Sequence, residues 1–211
     1  MSEYKLYCVG ESGNCYKVAL MLNVCGCDWE PVFVDYFAGE TRGETYRESL
    51  NELGEVPVLE HEGRRLTQSG VILTWLADRV GRYGGRDEHE RLEILRWMLF
   101  DNHKFTSYYA TLRFLKGILK NGDPAVLEFL RARALGAFGI VDKHLAKQPF
   151  LLGAQPTIAD FSLAGYQYYE EETGLDRNDF PHLLAWTRRI AQLPGWQPPY
   201  ELMPRGSPDR S

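Results

Sequence analysis

The chain has 211 residues, enough for one large domain or two small ones with buried cores, and a formal net charge of −5 with no basic run. That balance gives no support to nucleic-acid binding. No stretch approaches the ~18 consecutive apolar residues of a membrane helix, and the opening MSEYKLYCVG lacks the charged and apolar segments of a signal peptide.

Lys5 to Val9 is short and apolar and reads as a first strand, followed by the loop Gly10-Glu11-Ser12-Gly13-Asn14. From Cys15 the spacing of Val18, Leu20, Met21, Leu22 and Val24 turns helical, with Gly26 as C-cap. Cysteines 8, 15, 25 and 27 all fall in this opening stretch. A disulfide framework would spread its cysteines over distant loops, so the clustering points to reduced thiols and a cytoplasmic setting. Cys25-Gly26-Cys27 lacks the second pair that zinc needs, and no metal is expected there.

Trp29 to Tyr36 reads as a second strand with Pro31 near its start, as an edge or entry residue. Phe37 to Arg42 is a loop and Glu44 to Asn51 a short polar helix. In Val56-Pro57-Val58-Leu59 the proline carries no amide hydrogen, so it suits the first residue of a strand, where a cis bond is possible. Leu59 to Leu66 then folds about His61-Glu62-Gly63-Arg64 as a hairpin. Thr67-Gln68-Ser69 closes the hairpin and opens an apolar helix to Arg79, with Ser69 at the N-cap. Free amides and partial positive charge at such a helix start suit a carboxylate. The order β-α-β-α-β-β-α is a thioredoxin-like arrangement, assigned to residues 1–80.

The Gly- and Arg-rich segment 81–87 is a linker by composition. Residues 88–211 show no strand and read as an all-helical domain. Glu88 to Gly117 is one long aromatic-rich helical stretch with room for a bend, and Asp123-Pro124 starts a helix that runs to about Ala146. Thr157 and Asp160 have the spacing of a capping box. Pro181 to Leu193 is a further helix, ended by Pro194-Gly195, and the tail after Pro204 is polar and loose.

Proline-led strand, hairpin and Gln-Ser helix start together resemble the glutathione-binding half of the glutathione S-transferases. Phe150-Leu151-x-Gly153, Pro156 and Thr157-Ile158-Ala159-Asp160-x-Ser162-Leu163 resemble the capping motif of their helical domain. The resemblance covers about residues 4 to 200, with the two motifs about 100 residues apart and one in each domain. It implies glutathione as co-substrate, a small apolar electrophile as second substrate, no metal, a homodimer and a role in detoxification. It also implies that Val56, before Pro57, pairs its backbone with the cysteinyl part of glutathione. Gln68 and Ser69 hold the γ-glutamyl end, and Arg42 reaches the glycine carboxylate.

This chemistry needs a glutathione thiolate. A free thiol has a pKa near ~8.5, and lowering it by ~2 units requires ~2.7 kcal/mol of preferential stabilisation of the thiolate. A hydroxyl donor and amides at a helix start can supply that. Ser12 stands before Lys17-Val18 at the interval of the serine-type classes, with a turn or N-cap role as its plain alternative. Cys15 matches the cysteine of the bacterial beta class; at a helix start its pKa is expected to be lowered, while its plain alternative is a small buried residue. Tyr7 is a third candidate and Asn14 a helper or cap. Asp101-Asn102-His103-Lys104 resembles a beta-class segment facing the cleft. Tyr108, Tyr109, Arg113 and Phe114 follow at helical spacing, as acceptor-pocket walls or as core and dimer contacts, whereas Tyr166, Tyr168 and Tyr169 read as core. One departure stands out: Glu55 precedes Val56-Pro57 where the family usually has Gln or Lys. Beside conjugation stand two other functions, thiol-disulfide reduction or peroxidase chemistry through Cys15, and a non-catalytic dimeric module of the same fold.

Overall fold

A computed structural model describes residues 2–206, which divide into two compact units, 2–82 with 193–206 and 83–192. The first unit is built on a four-stranded sheet of β1 (Tyr4–Cys8), β2 (Trp29–Phe33), β3 (Val58–His61) and β4 (Arg64–Thr67), in the order β2-β1-β3-β4. β1 and β2 are parallel and joined through α1 (Gly13–Cys25), while β3 runs antiparallel to both β1 and β4. Pro31 lies mid-strand in β2, an edge strand, where a missing amide hydrogen can face outward. That strand is shorter than the expected run to Tyr36; Val34 N–H still bonds the Cys8 carbonyl at 3.0 Å, but Tyr36 N–H turns back onto the Val34 carbonyl at 2.8 Å, and Glu40–Arg42 forms a single 3₁₀ turn.

Helix α1 is buried almost all round, including Cys15, Tyr16, Val18, Leu20 and Leu22, because the sheet, α3 (Ser69–Val80) and α9 (Pro199–Leu202) pack around it. Each fully buried side chain of this size contributes roughly 1.5–3 kcal/mol. The stretch from Leu193 onward therefore completes the first unit rather than the helical one. Tyr16 donates its hydroxyl to the Gln197 carbonyl at 2.8 Å, Gly10 N–H bonds the Pro204 carbonyl at 2.7 Å, and Gly206 N–H bonds the buried Glu11 carboxylate at 2.9 Å. Residues 204–206 are thus tied down, against the loose tail expected after Pro204; residues 207–211 lie outside those described.

In the second unit, α4 (Glu88–Phe100) leads without a break through a π-helical turn at Asp101–Phe105 into α5 (Thr106–Leu112), and a second π turn follows at Arg113–Ile118. Such turns widen a helix by one residue and re-aim its faces. Here the first turns Asp101 inward, where Thr106 and Ser162 donate to its carboxylate at 2.5 and 2.6 Å. Helix α6 (Pro124–Leu145) begins at Asp123, which caps the amides of Ala125 and Val126. Every residue of α7 (Ile158–Ala164) is buried, and the capping box at its start is formed. The buried Asp160 carboxylate accepts from Leu151 N–H at 3.0 Å, Thr157 N–H at 2.8 Å, the Thr157 hydroxyl at 3.2 Å and the Trp186 indole at 2.8 Å. Burial raises its pKa, and these donors offset part of that. Trp186 belongs to α8 (Pro181–Ile190), so one carboxylate ties a loop, a helix start and a second helix together.

Candidate functional site

The sheet topology gathers the sequence candidates of the first unit. Tyr7 opposes Val58, Val58 opposes Thr67, and Cys8 pairs with Phe33. The ends of β1, β2 and β4 and the start of β3 therefore share one edge of the sheet. The chain segments at that edge carry Ser12 and Asn14 after β1, Arg42 after β2, Gln68-Ser69 after β4 and Val56-Pro57 before β3. Neighbouring strands lie ~4.8 Å apart, so the span from the end of β4 to the end of β1 is ~10 Å.

At the middle of this edge the Val56–Pro57 peptide is cis, and β3 starts at the next residue. Pro57 is buried while Val56 is half-buried. Among the described residues, the N–H and C=O of Val56 enter no backbone hydrogen bond. Upstream, Gly54 adopts a positive φ of 66°, and a Cβ there would meet the Thr41 carbonyl at 2.7 Å, so only glycine fits this turn. The Glu55 carbonyl is held twice, by the Tyr46 hydroxyl at 2.9 Å and by Asn51 at 2.8 Å.

At the β4 end the helix starts one residue earlier than expected. Gln68 occupies the cap position with φ 66°, and Ser69 is the first helical residue. Gln68 makes no side-chain cap; its amide instead donates to the Glu55 carboxylate at 2.9 Å. The Ser69 hydroxyl and the first-turn amides of α3 have no hydrogen-bond acceptor or donor among the described residues. Four such amides at any helix start lack intrahelical partners, and here nothing in the described chain replaces them. The result is a small electropositive cup beside a carboxylate. In the sequence Glu55 stands out only as a departure, and its partnership with Gln68 comes from the fold.

At the β1 end Ser12 is the N-cap of α1, half-exposed, its hydroxyl oxygen accepting from Cys15 N–H at 3.3 Å. A hydroxyl that accepts still has a proton to donate. Asn14 is half-exposed in the first turn and does not cap, since Ser12 does. Cys15 is fully buried, and burial pushes its thiol up to about 12, with hydrogen bonds from Ser12 and the Val9 backbone offsetting this only in part. The expected lowering of the Cys15 pKa is therefore overturned: desolvation of the thiolate outweighs the helix start. Tyr7 packs on the sheet face and donates to Glu60 at 3.5 Å, beside Arg65. Arg42 is exposed at the end of the 3₁₀ turn, its guanidinium folded against Gly39 and without an ion-pair partner among the described residues.

In the second unit His103 is exposed and Tyr108 half-buried, edge-to-face with Phe129 at 6.4 Å; Phe114 is half-buried. Of the two readings open for this run, Tyr109 and Arg113 take the core one. Tyr109 is buried against Phe138, and Arg113 is buried, ion-paired with Glu171 at 2.6 Å and stacked 3.9 Å above Tyr169. The π turn that begins at Arg113 rotates this segment inward. Tyr166 and Tyr169 are buried as expected, and Tyr168 bonds the Thr187 carbonyl. Among the described residues no group of three or more His, Cys, Asp or Glu side chains could hold a metal, and no helix is long and apolar enough to cross a membrane.

Comparison with known proteins agrees with this geometry in both units. The family model for the N-terminal domain of glutathione S-transferases matches residues 11–79, and that for their C-terminal domain matches 124–189. Among curated proteins the chain is 30% identical to Glutathione S-transferase F14 of Arabidopsis thaliana, covering 92% of this chain and 82% of that protein. It is also 30% identical to the maleylacetoacetate isomerase of Rhizobium meliloti, covering 100% and 98%. Among solved structures, a glutathione S-transferase from Pseudomonas fluorescens superposes with a TM-score of 0.87 at 34% identity, over 94% of this chain and 99% of that one. A small mixed sheet with its helices, a helical second unit and these matches together make the chain a member of the glutathione S-transferase superfamily.

Proposed function

We propose that the chain is a glutathione transferase that conjugates the glutathione thiolate to a small apolar electrophile. The observation that carries this reading is the meeting, on one ~10 Å sheet edge, of an unpaired Val56 backbone, a Ser69 hydroxyl at an uncapped helix start, and the half-exposed Ser12 hydroxyl. An extended tripeptide spans about the same distance. Its γ-glutamyl carboxylate lies on Ser69 and the amides of α3, where helix dipole and hydrogen bonds favour negative charge. Gln68 and Glu55, hydrogen-bonded to each other, face its ammonium group, and Glu55 supplies the carboxylate. The cysteinyl residue pairs with Val56 beside Pro57, and Arg42 reaches the glycine carboxylate. The sulfur then falls at the β1 end, where Ser12 donates its proton toward the thiolate and Asn14 helps orient it.

In the helical unit, His103, Tyr108 and Phe114 are the residues we assign to substrate recognition. The protein works as a cytoplasmic homodimer; in support, α4 carries Leu92, Leu95 and Leu99, all exposed, at helical spacing on one face. Within the first unit residues 1–80 carry the glutathione-binding groups, and the helices from residue 88 to residue 192 carry those for the acceptor. The buried Cys15 thiol speaks against the reductase alternative, and so it serves as packing beneath Ser12. The isomerase relative favours a second reading in which the same site isomerises maleylacetoacetate.

The test is a pH profile of conjugation with a chloronitrobenzene acceptor, run beside an isomerase assay. Ser12→Ala is expected to lower the rate at neutral pH about ten- to a hundredfold, one to two pKa units' worth of thiolate. Its rate should recover as pH rises toward the free thiol value, while Cys15→Ala stays active. An unchanged profile in Ser12→Ala would remove Ser12 from the chemistry, and isomerisation without conjugation would favour the second reading.

A further inference from the structure

Helix α6 turns an apolar back to solvent. Its inner side buries Leu130, Phe138, Val141 and Leu145 at helical spacing, packed against α5 and α8. The outer side of such a surface helix normally carries charges. Here Ala125, Phe129, Ala132, Gly136 and Ile140 succeed one another at intervals of three or four residues, and all are exposed. Phe129 and Ile140 are 53% and 52% exposed, and Val126 beside them 45%. Scattered exposed apolar side chains are ordinary, but this row is continuous over ~22 Å of one helix.

The glycines of this face are a second observation. Gly136 and Gly139 stand in the interior of a 22-residue helix and neither has a positive φ. A Cβ on either would meet nothing within 4 Å. Among the described residues nothing therefore demands glycine at these positions, although glycine is the weakest helix former after proline. Glycine on an exposed helix face serves the close approach of another backbone.

The charges bordering the row make it complementary to itself. Asp123 and Glu128 stand near the start of α6, and Lys143 and Lys147 at its end. Two such helices laid antiparallel, with a two-fold axis level with Leu135 and Gly136, set Glu128 of each copy beside Lys143 of the other and Asp123 toward Lys147. On the same register Gly136 meets its own counterpart at the axis and Ala132 faces Gly139. Ile140 falls between Phe129 and Arg133, the knob-into-hole spacing of packed helices. The Arg133 guanidinium already lies 5.2 Å over the Phe129 ring, so its stem extends the apolar wall. In the single chain Glu128 makes an exposed contact with Arg131 at 3.5 Å, a weak competitor for the intermolecular pair. Antiparallel packing also opposes the two helix dipoles.

We propose that the outer face of α6 is a self-association surface that pairs, antiparallel about Gly136, with α6 of a second copy of this chain. It is carried by a different helix from the α4 face, so copies already joined through α4 join again here into larger assemblies. About ten residues a side enter the contact, against ~20–30 in a standard interface, so the association is weak, with Kd of ~10–100 μM.

The test is sedimentation velocity of the full-length protein from ~1 to ~500 μM, bracketing that affinity. It is run on wild type and on Leu95→Glu, which sets the α4 contact aside. Both are expected to show a reversible doubling of mass with concentration, weakened by added salt. Gly136→Arg should abolish the doubling while Tm stays the same or rises, because a side chain there meets open space in the single chain and arginine is the better helix former. Glu128→Lys should weaken the doubling about tenfold by setting like charges opposite each other twice across the axis. Adding Lys143→Glu to it should restore the association. A wild type that keeps one mass at every concentration would overturn the second copy as occupant and leave the face to a partner of another sequence. Doubling that survives Gly136→Arg, or a double variant no better than Glu128→Lys, would overturn the antiparallel pairing. None of these outcomes depends on whether glutathione binds at Ser69.

Discussion

Ser12 and Ser69 have the same chemistry and different tasks, set by where each sits on its helix. Ser12 precedes α1 and caps it, so its replacement has two effects. Ser12→Ala should cost about 1 kcal/mol of stability through the lost cap, and separately raise the pKa of bound glutathione. Ser12→Gly, which costs only a few tenths of a kcal/mol as a cap, separates the two: melting temperature recovers and the raised pH profile does not. Ser69 caps nothing, because Gln68 holds that position, and its hydroxyl is left for a ligand. Glu55 completes the charge pattern of this end. Glu55→Gln is expected to weaken glutathione binding about tenfold, as the loss of a charged hydrogen bond of roughly 1.5–3 kcal/mol requires, tempered by solvent. Calorimetry would detect this; an unchanged affinity would show that the carboxylate does not face the ammonium group. These residues were legible by type and spacing, but their geometry was not. The one-residue shift of the α3 start depends on Gln68 adopting a positive φ, for which a glutamine gives no local signal. The burial of Cys15 depends on α3 and α9 closing over α1, which is tertiary.

Among elements, the capping box of α7 and the β3 entry show how far short patterns reach. Thr157-x-x-Asp160 announced a helix start, and its formation was readable from those two residues. That the same carboxylate also takes the Leu151 amide and the Trp186 indole was not, since both partners come from elsewhere in the unit. Asp160→Ala leaves four buried donors without an acceptor, each unmet donor costing ~1–3 kcal/mol before relaxation. The variant is expected to lose at least ~3 kcal/mol, with a fall of several degrees in Tm and little soluble yield. A drop under ~1 kcal/mol by urea unfolding would mean that water replaces the carboxylate. The aromatic stretch after Glu88 left its core and pocket residues undivided for a different reason: its 3.6-residue period breaks at two π turns. These move Tyr109 and Arg113 to the core while leaving Tyr108 and Phe114 half-buried, and no residue type marks such a turn in advance.

For the whole molecule, the strand order does the work of assembly. Because β3 is antiparallel to both neighbours, four loops far apart in sequence leave the same edge of the sheet. The β-α-β-α-β-β-α order was readable from hydrophobic period and turn residues, and with it the edge itself. The closing of the first unit by residues 193–206 was not, since a short polar tail looks alike whether bound or loose. The bond between Glu11 and Gly206 ties residue 206 to the residue next to Ser12. Glu11→Ala should therefore both lower Tm and reduce conjugation, whereas Leu95→Glu on the exposed face of α4 should convert a dimer into monomers in sedimentation without unfolding either unit. The measurement that bears most directly on the central claim is calorimetric titration of glutathione into wild type and Ser69→Ala. The account predicts one site per chain in wild type and an affinity about ten- to a hundredfold weaker in the variant, the range for a hydrogen bond to a charged group. No binding to wild type at millimolar glutathione, or equal affinity in both proteins, would contradict it.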